Sequence, residues 1–236
     1  MRLLLTRPEP DAQRTAAALR AQGHDVIIAP LLRIAPVTDA QIGAGPWAAI
    51  LITSANAALA VATHARVAPL RALPVFAVGQ RSAEAMAAAG FADVTSADGN
   101  VSDLARLVAA RLQPAARLLY LAGEDRAGDL AGDLGAYGFA VETTMIYRAI
   151  AATVLPPAAA EALASGIDGV LHFSRRSAEV FVDAARAAGV LESALRAAHF
   201  CLSAQVAEPL VQAGATDIRV AERPNEAVLL ALIAAA

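Results

Sequence analysis

The sequence predicts an α/β protein built on parallel sheets. Three observations carry this: short, nearly uninterrupted runs of Leu, Ile, Val and Phe; helical stretches of about 10 to 14 residues between them; and a pattern that recurs in the second half of the chain. Strands buried on both faces read as continuous apolar runs, and alternation with helices is the mark of parallel crossovers.

The elements follow in order. Arg2 to Thr6 reads as a strand bounded by Arg7-Pro8, and Glu9 to Gln22 as a helix with Pro8 at its first turn and Gly23 as its stop. Asp25 to Ala29 is a strand, and Leu31 to Val37, framed by Pro30 and Pro36, an extended connector. Trp47 to Ile52 is a strand running into Thr53-Ser54, with a helix from Asn56 to Ala65. The strand Leu73 to Val78 ends at Gly79, before the helix Ser82 to Ala89 and a weak strand Phe91 to Thr95. Ser102 to Leu112 is a helix, Arg117 to Leu121 a strand, Ala127 to Tyr137 a helix, and Phe139 to Glu142 a strand extended to Arg148. Helix Pro157 to Ser165, strand Asp168 to Phe173 and helix Ala178 to Ala188, opened by Ser174, come next. The strand His199 to Leu202, helix Ala204 to Ala213, strand Thr216 to Val220 and helix Asn225 to Ile233 complete the pattern.

Two unit types recur in the order A-B-A-B. Unit A (strand, helix, strand) covers Leu3 to Ile28 and Leu118 to Glu142; unit B (strand, helix, strand, helix, strand) covers Ala48 to Thr95 and Asp168 to Val220. One A plus one B supplies the strands of an open sheet, which predicts two similar domains. The pattern leaves open whether adjacent units pair or the chain crosses between domains. Crossing would use both Leu31 to Val37 and Thr143 to Ala152 as connectors.

Composition narrows the function. The chain has 236 residues, 63 of them alanine, with 19 basic against 22 acidic residues and a net charge of -3. No basic stripe is present, which argues against nucleic acid as a partner. All basic residues are arginine, which excludes a Schiff-base lysine and a standard P-loop. The single Cys201 fits a reducing compartment. The longest apolar stretch, Ala227 to Ala236, is too short for a membrane span, and Thr6-Arg7-Pro8 follows Leu3 to Leu5 too soon for a signal peptide. A cytoplasmic protein is expected.

His24, His64, His172 and His199 lack metal-ligand spacing, and Cys201 has no evident base partner. Gly43-Ala44-Gly45 precedes a strand instead of following one, so it is no dinucleotide fingerprint. Gly123 to Gly128 does stand between a strand and a helix. Its N-H groups, with Arg126, suit an anion, or the stretch is simply a tight turn. Small polar residues also gather where strands feed helices: Thr6-Arg7, Thr53-Ser54-Ala55-Asn56, Gly79 to Ser82, and Ser174-Arg175-Arg176-Ser177. Such turns form the binding edge of an open α/β sheet and suit a carboxylate-bearing ligand; each can also serve as a plain helix cap.

These segments carry a resemblance. Leu4-Leu5-Thr6-Arg7-Pro8, Gly23-His24-Asp25-Val26, Ile52-Thr53-Ser54-Ala55-Asn56-Ala57, Val78-Gly79-Gln80-Arg81-Ser82-Ala83, Ala89-Gly90-Phe91 and Met145-Ile146-Tyr147-Arg148 stand in the order found in uroporphyrinogen-III synthases, and the chain resembles that family over essentially its full length. The resemblance implies two flavodoxin/Rossmann-like parallel-sheet domains joined by a two-stranded linker. Residues 1–34 with 152–236 would form one discontinuous domain, 38–145 the other, and 30–37 and 143–151 the linkers. It implies a cofactor-free and metal-free lyase that cyclises hydroxymethylbilane to uroporphyrinogen III, with inversion of ring D and loss of water. The implied ligand is a linear tetrapyrrole. Transient contact with hydroxymethylbilane synthase, a monomeric state and no membrane or nucleic-acid partner complete the expectation.

Residue by residue, Tyr147 matches the family tyrosine and is assigned to the departing hydroxyl. Thr53, Ser54, Asn56 and Ser82 match cleft-facing positions, and Arg7 is a carboxylate contact; Gly123, Arg126, Ser174 and Arg175 join them as substrate-binding candidates from the edge turns. Two departures stand out: Ser203 and Val206 replace the family's usual glycine and threonine, and Phe173-Ser174 replaces Thr-Ser. The competing reading is a non-catalytic two-domain module that binds a small polyanion.

Overall fold

The computed structural model describes residues 1–126 and 128–234. In chain order the elements are β1 (Arg2–Leu5), α1 (Asp11–Ala21), β2 (Asp25–Ile28), β3 (Leu32–Pro36), β4 (Ala49–Ile52), α2 (Ala55–Ala62) and α3 (Val67–Leu70). Next are β5 (Val75–Ala77), α4 (Gln80–Ala88), β6 (Val94–Ser96), α5 (Val101–Arg111), β7 (Arg117–Gly123), α6 (Leu130–Ala136) and β8 (Ala140–Ala151). The rest are α7 (Pro157–Ser165), β9 (Gly169–His172), α8 (Arg175–Ala187), α9 (Leu191–Leu195), β10 (Ala198–Cys201), α10 (Ala204–Ala213), β11 (Ile218–Val220) and α11 (Glu226–Ala234).

Two compact units result: Met1–Arg33 with Ile150–Ala236, and Ile34–Ala149. The first holds a parallel sheet in the order β11-β10-β9-β1-β2. The second holds the order β3-β8-β7-β4-β5-β6, parallel from β8 to β6. Matched from the outer A strand inward, β2-β1-β9-β10-β11 corresponds to β8-β7-β4-β5-β6. Each sheet is therefore one A unit and one B unit, taken in opposite chain order. Both crossings between units fall inside β3 and β8, which are neighbours in the larger sheet. Val37 donates to the Ile146 carbonyl at 2.8 Å and Ala152 to that of Leu31 at 2.9 Å, so these two strands run antiparallel.

The core of each sheet is made by strands with no exposed face. β4 is buried at all four positions and β9 likewise, as expected for central parallel strands. In the second unit α2 and α4 cover one face with Ala57, Val61 and Met86. Leu104 and Val108 of α5 with Leu130 and Leu134 of α6 cover the other. Asn100 starts α5 by accepting from the Ser102 and Asp103 N-H groups, while Asp103 accepts from the Asn100 N-H, a reciprocal cap.

Three expectations about element limits change. α1 starts at Asp11, not Glu9, because Pro10 disfavours helical geometry at the residue before it and itself takes the cap position. α4 starts at Gln80 behind Gly79, which places Ser82 inside the first turn instead of ahead of it. The helix expected from Ala127 begins at Leu130; Ala127 itself lies outside the described residues, as do the last two alanines of the C-terminal apolar stretch. The short helices α3 and α9 carry too few apolar positions to show a period and were not foreseen.

In the first unit His172 and His199 lie fully buried under Phe181, on adjacent strands. His172 Nε2 and His199 Nδ1 share a hydrogen bond of 3.1 Å; among the described residues His172 Nδ1 and His199 Nε2 make no hydrogen bond of good geometry, although the Ala194 backbone acts on the His199 ring. Burial pushes His172 well below the usual histidine range and His199 down to about 4, so both rings are neutral at pH 7.

Candidate functional site

In the second unit the apolar run of β4 ends abruptly at Thr53-Ser54. Ser54 is extended (φ -151°, ψ 142°) and caps α2, its Oγ accepting from the Asn56 N-H at 3.2 Å. β7 runs alongside β4 and ends at Gly123. The crossovers after β4 and β5 lie on one face of the sheet and those before and after β7 on the other. The β4–β7 pair is thus the point where the winding reverses, the usual ligand edge of an open α/β sheet. Thr53, Ser54, Asn56, Gly123 and Tyr147 all gather at this edge.

Tyr147 reaches it through an irregularity. Ala122 pairs with Met145, but the next residue, Gly123, pairs with Tyr147, so β8 carries one extra residue. A bulge of this kind turns the side chain beyond it. Here Ile146 enters the core and Tyr147, half-buried, lies across the end of β7. A Cβ on Gly123 would stand 2.5 Å from Tyr147 Cζ and 2.7 Å from its hydroxyl, so only glycine admits the ring there. The Glu124 N-H donates to the Tyr147 carbonyl at 3.0 Å and fixes the backbone.

Burial raises the Tyr147 phenol above its ordinary value, with a hydrogen bond from Ser54 partly opposing it and the neighbouring Tyr120 and Asp125 adding to the rise. The direction of that hydrogen bond matters. Ser54 lowers the phenol's value, as a hydroxyl does when it donates to the phenol oxygen, so the Tyr147 proton is not spent on Ser54.

Tyr120, only 4% exposed, was not singled out from the sequence. Its hydroxyl and Thr53 Oγ1 share a hydrogen bond of 2.8 Å across β7 and β4. The available signal was a phenol within the otherwise aliphatic run Leu118 to Ala122. Two phenol–hydroxyl pairs therefore stand side by side, Tyr120 with Thr53 and Tyr147 with Ser54.

A cavity of about 390 Å³ opens beside Tyr120, lined also by Thr143, Arg126, Glu124 and Asp129. Gly123 is not part of an open helix start as the sequence suggested. It closes β7, and α6 is capped by Asp129, whose carboxylate accepts from the Gly132 N-H at 3.0 Å. An acid at the cap already satisfies the positive helix end. Ser82 is buried in the first turn of α4.

The first unit has a matching reversal at β1–β9. Thr6 Oγ1 donates to the Leu171 carbonyl at 2.9 Å and joins the two strands. Ser174 caps α8, accepting from the Ser177 N-H at 3.2 Å. Arg7, 8% exposed, is already engaged: it lies 3.0 Å from Asp11, 3.1 Å from Glu226, donates to Thr15 at 2.9 Å, and stacks on Phe173 at 4.1 Å. Arg175 pairs with Glu179 at 2.9 Å and Glu208 at 2.7 Å. Val206 is buried in the core with Phe181 and Leu210, so its methyls pack where a hydroxyl would need a partner.

Comparison with known proteins decides the kinship. The family described as uroporphyrinogen-III synthase HemD matches residues 13–231. The chain belongs to the uroporphyrinogen-III synthase family. Membership makes it an enzyme of tetrapyrrole synthesis. The crystal structure of uroporphyrinogen-III synthetase from Helicobacter pylori superposes with a TM-score of 0.68 at 15% identity, over 100% of this chain and 99% of that one. A mutant uroporphyrinogen III synthase from Thermus thermophilus gives 0.53 at 17% identity, over 100% and 98%. At such identities the likeness bears on the fold, and the two-domain α/β architecture is that of these synthases. No curated protein sequence gives a match. Nothing in these comparisons favours a non-catalytic module. Among the described residues no His, Cys, Asp or Glu side chains form a three-membered metal cluster, and no helix is long and apolar enough to cross a membrane.

Proposed function

We propose that this member of the family is a cytoplasmic lyase that cyclises hydroxymethylbilane to uroporphyrinogen III, inverting ring D and releasing water. Family membership over residues 13–231 supports the reaction. The observation that carries the local chemistry is the Tyr147 phenol, seated on Gly123 and backed by Ser54.

The first step breaks the bond between the terminal methylene and its hydroxyl. Tyr147 donates its proton to the departing oxygen, and the Ser54 hydrogen bond supports the phenol oxygen as negative charge grows on it. A phenol is protonated at neutral pH, the state this role requires, and burial reinforces it. Ring D attacks the azafulvene-like cation through its substituted carbon to give a spiro intermediate. The bond from that carbon to its original methylene then breaks, and the methylene rebonds to the unsubstituted α-carbon of ring D. The proton lost from that α-carbon as the pyrrole rearomatises restores the Tyr147 phenol. Holding a flexible chain so that this closure outruns unassisted closure to isomer I is a positioning task.

The hydroxyls of Thr53 and Ser54, the Asn56 amide, the Ser82 and Gly123 segments and Arg126 would bind pyrrole carboxylates, and Ser174 would do the same in the first unit. Arg7 and Arg175 contribute only by exchanging a present acidic partner for a substrate carboxylate. The deciding assay couples the protein to hydroxymethylbilane synthase and separates isomers I and III by chromatography. Isomer III above background is expected; isomer I alone would refute the assignment.

A further inference from the structure

Tyr120 has no role in the chemistry above, yet it is the most buried phenol at the strand edge and is tied to a residue of the candidate site. Its hydroxyl lies 2.8 Å from Thr53 Oγ1, and its ring packs in the core with Leu118, Ala49 and Leu51. Thr53 is the first residue after β4 and precedes the Ser54 cap. The two hydroxyls are unequal. Either hydroxyl can donate by geometry, but a phenol is the stronger donor and an aliphatic alcohol oxygen the better acceptor, which favours donation from Tyr120 to Thr53. A hydroxyl that accepts in a fixed direction has its own proton confined to the remaining directions. Thr53 is half-buried at the end of β4, so with one direction taken by Tyr120 its proton turns to the remaining directions, the solvent side of the edge among them.

We infer that Tyr120 is a positioning residue that acts through Thr53: it converts a freely turning hydroxyl into a fixed donor for a carboxylate of the substrate. The inference rests on the proposed synthase reading and extends it to substrate binding. Tyr120 has no part in breaking the bond to the departing hydroxyl. Its loss therefore weakens binding in ground state and transition state alike, which raises KM and leaves kcat nearly unchanged.

The test is Tyr120→Phe, which keeps the ring in the core and removes only the hydroxyl. In the coupled assay, KM for hydroxymethylbilane is expected to rise about tenfold, with kcat within about twofold of the parent and the isomer III fraction preserved. Thr53→Val should raise KM by a similar factor, and the double variant should add little to either single change, since the two groups act as one. Thr53→Ser, which retains the hydroxyl, should restore near-parent KM only while Tyr120 is present. A merely structural Tyr120 would instead lower the thermal midpoint and leave KM unmoved, or act independently of Thr53; either result overturns the inference. A parent protein that forms isomer I alone overturns the synthase reading and this inference with it. Isomer III formation with unchanged KM in Tyr120→Phe overturns this inference alone.

Discussion

The ring of Tyr147 rests on the Cα of Gly123, close enough that a methyl group there would stand 2.5 Å from its Cζ. The contact is steric and unforgiving. Glycine here serves close approach: the atoms a Cβ would meet are Cζ, Cε2 and the hydroxyl, the outer end of a half-buried ring that can yield only by swinging aside.

Gly123→Ala should therefore displace the phenol without removing any functional group. A shift of about 1 Å in a reacting group costs on the order of 10²-fold in rate. Isomer III formation is expected to fall by that order, with a stability loss of about 1–3 kcal/mol from overpacking. Parent-like kcat in a folded Gly123→Ala protein would show that the ring position is not what the chemistry needs.

Tyr147→Phe removes the proton donor. The loss expected for a general acid is about 10²- to 10⁴-fold in kcat, while circular dichroism stays that of the parent. Burial raises the phenol's folded value above the ordinary tyrosine range, so the alkaline limb of the rate profile should lie above pH 10. The same shift means that stability held below the unfolded value is lost as pH rises through the folded one. Ser54→Ala deletes the hydrogen bond that opposes the rise and should push this limb higher still. A limb that does not move would separate Ser54 from the phenol.

The His172–His199 pair predicts acid sensitivity of the first unit. Both rings are held neutral by burial, with folded values below the 6.5 of an unfolded histidine. The unfolded state then binds more protons, so stability is full above pH 6.5 and falls as pH drops toward about 4. His199 alone contributes on the order of 3 kcal/mol to this loss. Thermal midpoints measured between pH 7 and 4 should fall steeply in the parent and less steeply in His199→Gln, which cannot take up the proton. Equal slopes would refute the assignment.

Arg7 ties α1, β1 and α11 together through Asp11, Thr15 and Glu226. Burial favours the neutral form of Glu226, but hydrogen bonds from Thr15 and Arg7 and the charges of Arg7 and Arg14 overcome it and leave the carboxyl below its usual value. Arg7→Met should cost about 2 kcal/mol, a drop of roughly 4–8 °C in thermal midpoint, by stripping the main charge partner from a half-buried acid. Because Glu226 is depressed, its contribution is present above the usual carboxyl range and fades as pH falls through the folded value. The difference between Arg7→Met and the parent should therefore narrow in acid; a constant difference would mean that packing on Phe173, not charge, is what Arg7 supplies.

Much of this molecule was legible in its sequence because the determining signals are local. β4, β7 and β9 announced themselves as apolar runs, Ser54 and Ser174 as caps, and the A-B-A-B repeat mapped onto two sheets of equivalent strand order. Non-local features were hidden. Tyr120 and Thr53 are 67 residues apart and meet only because β7 lies beside β4. The bulge that turns Tyr147 depends on a one-residue mismatch between strands, which periodicity does not register. Arg7 looked like an open clamp because its partner Glu226 arrives from the far end of the chain.

The nested order of the units also has a consequence for synthesis on the ribosome. Every strand of the second sheet has been made by Ala151, whereas β1 is still waiting for the neighbour that will make it a central strand. The Thr6 hydroxyl must find a carbonyl 165 residues downstream. At translation rates of roughly 5–20 residues per second that is a delay of about ten to thirty seconds. For that interval the nascent chain carries one apolar strand with an open flank, a stretch that a ribosome-associated chaperone would be suited to shield.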